Sequence, residues 1–126
     1  MGIDAEIYIK ANLTPERRED VEAYLRDRCP SLHDWDGHVI SQDSHGYNDG
    51  RWNLNILNRW YAPGYERGHW PEIYGMIRAM QAAFPGQDVY YGSAPVNESC
   101  DPVTPEFLEG MWQHWLGPNG RNYYNR

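Results

Sequence analysis

Residues 3–16 read Ile3-Asp4-Ala5-Glu6-Ile7-Tyr8-Ile9-Lys10-Ala11-Asn12-Leu13-Thr14-Pro15-Glu16, and this stretch decides the fold class. Ile3, Ala5, Ile7, Ile9 and Ala11 alternate with Asp4, Glu6, Tyr8 and Lys10. A period of two belongs to a strand with one covered face, and it places the polar set on the other. The alternation stops at Thr14-Pro15-Glu16. A Thr hydroxyl caps a helix N-terminus, Pro suits its first turn, and an acid there meets the positive end of the helix dipole. A strand running directly into a capped helix predicts mixed α and β structure.

The rest of the chain extends this beginning. Val21, Tyr24, Leu25 and Arg28 share one face of the first helix, and Glu22 and Arg26 are spaced to pair on it. Cys29-Pro30 ends the helix, and residues 30–38 read as a loop. Residues 39–44 and 52–61 read as two strands joined by a hairpin around Asn48-Asp49-Gly50. Trp52, Leu54 and Ile56 share a face of the second, and the phase slips at Leu57 before Ala62-Pro63-Gly64 breaks the strand. A second helix opens at Trp70-Pro71-Glu72, carries Ile73, Met76, Ile77, Met80 and Phe84 on one face, and stops at Pro85-Gly86.

Residues 89–92 form a short fourth strand, and 93–103 read as a loop. Thr104-Pro105-Glu106 then repeats the opening chemistry of Thr14, with Phe107, Leu108, Met111, Trp112 and Trp115 on one face before Gly117-Pro118. On periodicity that face is core; a projecting helix would instead serve a target or a second copy of the chain in a homodimer. The order predicts an α+β fold, a ferredoxin-like βαββαβ sandwich: a four-stranded antiparallel sheet, two helices on one face, and an added C-terminal helix. Residues 1–118 are expected to form one domain, with 119–126 as a tail.

Composition shapes this core. Leu, Ile, Val and Phe together number 21 of 126 residues, and the net charge is −7, a combination that often marks disorder. Six Trp and ten Tyr offset it. Each such ring buries on the order of 150–250 Å², so the chain is expected to fold with Trp and Tyr in its core. Residues 1–50 hold eleven acids against five bases, and the whole chain holds one lysine, Lys10, and ten arginines. That balance opposes a general phosphate-backbone binder, which needs clustered cations. No apolar run approaches the ~20 residues of a membrane span. The first residues lack the basic and apolar regions of a signal peptide, so a cytoplasmic protein with Cys29 and Cys100 reduced is expected.

Two clusters carry chemistry. His33, Asp34, Asp36 and His38 bring imidazoles and carboxylates close enough in sequence to be candidate ligands for a divalent metal. Asp34-x-Asp36-Gly37 departs from a calcium loop, since His45 stands at its twelfth place, where Glu is required. The competing reading is a polar loop satisfying its own backbone. The second cluster is Arg59-Trp60-Tyr61-Ala62-Pro63-Gly64-Tyr65-Glu66-Arg67-Gly68-His69-Trp70. Rings that stack and guanidinium groups that pair with anions hold a flat anionic ligand, and the same residue types dominate protein-interface hot spots. Arg59, Trp60, Tyr61, Tyr65, Arg67, His69 and Trp70 are the candidate binding residues, although an aliphatic-poor core also needs rings.

The known catalytic frames do not fit this sequence. There is no G-x-S-x-G, P-loop or G-x-G-x-x-G, and no His is followed two places on by Ser or Thr as a two-histidine phosphodiesterase requires. Cys29 and Cys100 lack the electropositive setting of an activated thiol. No cofactor is implied. The stretch Arg67-Gly68-His69-Trp70-Pro71-Glu72-Ile73-Tyr74, through Phe84-Pro85 to Val89-Tyr90-Tyr91-Gly92, resembles small uncharacterised proteins of phages and prophages. The resemblance implies context: small acidic proteins of that kind often bind a host or defence factor. The leading expectation is therefore a non-catalytic protein that binds a protein partner. A binder of a nucleotide or similar small anion comes second, and a metal-dependent hydrolase third.

Overall fold

A computed structural model describes residues 4–29, 38–42, 52–54, 70–94 and 101–113. The elements run β1 (Asp4–Ile9), α1 (Pro15–Arg28), β2 (Ile40–Gln42), β3 (Trp52–Leu54), α2 (Trp70–Ala83), β4 (Tyr90–Ala94), β5 (Asp101–Pro102) and α3 (Pro105–Met111). The strands form one antiparallel sheet in the order β2-β3-β1-β4-β5. The α+β class therefore holds, but the described sheet has five strands rather than four. The fifth lies in the stretch read as a loop. Two residues are too few to show a period, and Pro102 carries no N–H. The pairing is instead fixed from outside, by β4 and by the Val103 N–H donating to the Val89 carbonyl at 2.7 Å.

Local chemistry accounts for the helix ends. Thr14 Oγ1 accepts from the Arg17 N–H at 3.2 Å, and Thr104 Oγ1 accepts from the Phe107 N–H at 3.1 Å. Each hydroxyl satisfies one of the donors that a helix N-terminus leaves over. At the end of α2, Gln87 N–H donates to the Phe84 carbonyl at 3.1 Å, around Pro85 and a Gly86 with φ of 79°. That φ belongs to the third place of a type II turn, where a side chain is strained and glycine is not. Arg17 Nη2 donates to the Ala83 carbonyl at 2.6 Å, so α1 caps the C-terminal end of α2.

Ile7 and Ile9 of β1, Ile40 of β2, Trp52 and Leu54 of β3 and Tyr91 of β4 join one core with residues from all three helices. These include Val21 and Leu25 of α1, Ile73, Met76, Ile77 and Met80 of α2, and Leu108 and Met111 of α3. The core reading of α3 thus holds for its buried residues, while Phe107, expected on the same face, is 38% exposed at the margin beside Tyr91. Trp115, the hairpin turn at 48–50 and the tail 119–126 lie outside the described residues.

One expectation about burial holds and one changes. Among the described residues the largest fully buried side chains are Ile, Leu, Val and Met. Trp52, Tyr74 and Tyr91 are buried in the same core cluster, as the composition leads one to expect. The change concerns β1. Tyr8 and Glu6, placed on its open face by the alternation, are 2% and 6% exposed, so that face is covered too.

Candidate functional site

The densest polar cluster among the described residues centres on Glu22, two turns into α1 and only 8% exposed. Its position follows from the helical period, which sets it beside Arg18 and Arg26, each four residues away. Glu22 Oε1 accepts from Arg18 Nε at 2.8 Å and lies 2.8 Å from His38 Nδ1. A carboxylate only accepts, which puts the proton of that second bond on Nδ1. Glu22 Oε2 accepts the Val39 N–H at 3.2 Å and faces Arg26 Nη2 at 3.8 Å. Arg18 continues outward: Nη2 donates to the Ile40 carbonyl at 3.0 Å, and its guanidinium sits 5.3 Å from the Trp52 ring centroid. The cluster ties α1 to the strand edge at β2 and β3. Both Glu22 oxygens are already engaged, so the carboxylate orients its neighbours and is not positioned as a free base.

The far face of the sheet, away from the helices, carries a second arrangement. Strand pairing puts Ser41, Asn53, Tyr8, Tyr90 and Pro102 in one row across all five strands. The Tyr8 and Tyr90 rings stack with centroids 4.8 Å apart and planes 7° from parallel, and Lys10 Nζ lies 4.8 Å from the Tyr90 centroid. An offset stack with a cation over one ring is a favourable use of the ring quadrupoles. Beside Tyr8 in this row, Asn53 Oδ1 is buried without a hydrogen-bond partner. Trp52 Nε1, on the helix side, and Glu72 Oε2, in the first turn of α2, are buried in the same condition.

The residues singled out by sequence are distributed unevenly. Arg59, Trp60, Tyr61, Tyr65, Arg67 and His69 lie outside the described residues, and Trp70 is the first residue of α2. His33, Asp34 and Asp36 also lie outside them. His38, the fourth metal candidate, is held by Glu22 and is 46% exposed on its side chain. No group of three or more His, Cys, Asp and Glu among the described residues is placed to hold a metal ion. Burial pushes the Cys29 thiol up to about 12, in keeping with its expected inertness. Sequence reasoning paired Glu22 with Arg26 but missed Arg18, although the same four-residue spacing was available to find it.

No family model, curated protein or solved structure matches the chain. No helix among the described residues is long and apolar enough to cross a membrane.

Proposed function

We propose that this chain is a non-catalytic binding protein that engages a protein partner through Arg59, Trp60, Tyr61, Tyr65, Arg67, His69 and Trp70. The observation that carries the reading is the concentration of arginines and polar rings in residues 59–70. Tyr, Trp and Arg are the residue types that dominate interface hot spots, which supports the use of residues 59–70 in recognition. In sequence the segment leads directly into α2. A net charge of −7 suits a basic partner surface.

Two finer points belong to the same proposal. The βαββαβ order and the neighbours β2-β3-β1-β4 support a ferredoxin-like reading, with β5 and α3 as additions. The resemblance to phage and prophage proteins is what supports a host or defence factor in the host cytoplasm as the partner's class. The test is affinity capture from a lysate of that host, comparing the wild type with a Tyr65→Ala/Arg67→Ala variant of equal thermal stability. Loss of one specific protein from the variant supports the reading, and unchanged recovery removes this surface from it. A melting temperature that rises with added nucleotide, without a captured protein, would move the segment to the small-anion reading.

A further inference from the structure

We draw no further inference here: the strongest candidate, the row of Ser41, Asn53, Tyr8 and Tyr90 on the far face of the sheet with Lys10 over the Tyr90 ring, is already buried at Tyr8 and the neighbouring Glu6, and nothing among the described residues shows what covers it.

Discussion

Glu22 in α1 accepts the backbone N–H of Val39, seventeen residues later, at 3.2 Å. A buried carboxylate thus satisfies a backbone donor at the entry to β2, while Arg18 and His38 hold its other oxygen. The bond joins the first helix to the sheet across residues that are distant in sequence. Its removal leaves donors buried without an acceptor, which costs more than the bond itself contributes.

Glu22→Ala is expected to lower the unfolding free energy by about 2–3 kcal/mol, and Glu22→Gln, which keeps one acceptor, by roughly half as much. His38→Ala should cost under about 1 kcal/mol, because its side chain is 46% exposed and screened by water. Urea denaturation of the three variants checks the ranking. Equal losses at Glu22 and His38 would contradict the hub assigned to Glu22.

Ile77, fully buried in α2, tests the placement of the core. Ile77→Ala is expected to cost about 2–5 kcal/mol, the transfer loss plus a residual cavity. Phe107→Ala, at the exposed margin, should cost much less. Denaturation midpoints measured side by side decide it, and a larger loss at Phe107 would overturn the placement of the core.

The capping hydroxyls give a local test. Thr14→Ala and Thr104→Ala should each cost about 1 kcal/mol, whereas Thr14→Ser and Thr104→Ser should be close to neutral. Calorimetry resolves the difference as a fall in Tm for the alanine variants only.

Asn53 carries a buried carbonyl oxygen without a hydrogen-bond partner in the middle of the sheet. Asn53→Val removes that desolvated acceptor and adds a residue suited to a strand, so stability should rise by about 0.5–1.5 kcal/mol. A lower Cm in urea for this variant would show that the amide makes a contribution its surroundings do not reveal.

The Cys29 thiol is 1% exposed, and burial pushes it from its ordinary value of 9.0 up to about 12. Below pH about 9 both the folded and unfolded chains keep the proton, and the thiol's contribution is fully present. Above it the unfolded chain ionises first, so stability falls with rising pH, by about 1.4 kcal/mol per unit, until the folded thiol titrates near 12. The wild type should therefore lose stability relative to Cys29→Val between pH 8 and roughly pH 10.5, as urea titrations would record. Parallel pH profiles for the two proteins would remove the thiol as the cause.

The legible parts of the fold were those whose cause lies within a few residues. The alternation of Ile7 and Ile9, the two Thr-Pro-Glu openings and the four-residue stripe from Ile73 to Met80 each encode an element by period or capping, and each appears where expected. β5 was not legible, since Asp101 and Pro102 become a strand only because the edge of β4 lies beside them. The covered far face at Tyr8 and Glu6 was hidden for a similar reason. Alternation tells which residues share a face, and it cannot tell whether a polar face meets water or more protein.

The candidate site divides along the same line. Composition and motif reading picked out the Arg and aromatic run of residues 59–70 as chemically suited to binding. They left open whether its rings were needed for the core, because a ring's contribution to packing depends on what surrounds it. Sequence alone determined the α+β class, the helix openings and the apolar faces, all products of local backbone geometry and side-chain spacing. Tertiary structure alone decided that Trp52, Tyr74 and Tyr91 join Ile, Leu, Val and Met in one core, that Glu22 clamps α1 to β2, and that β5 exists. Burial and long-range hydrogen bonds arise between elements, and no single element contains the information that fixes them.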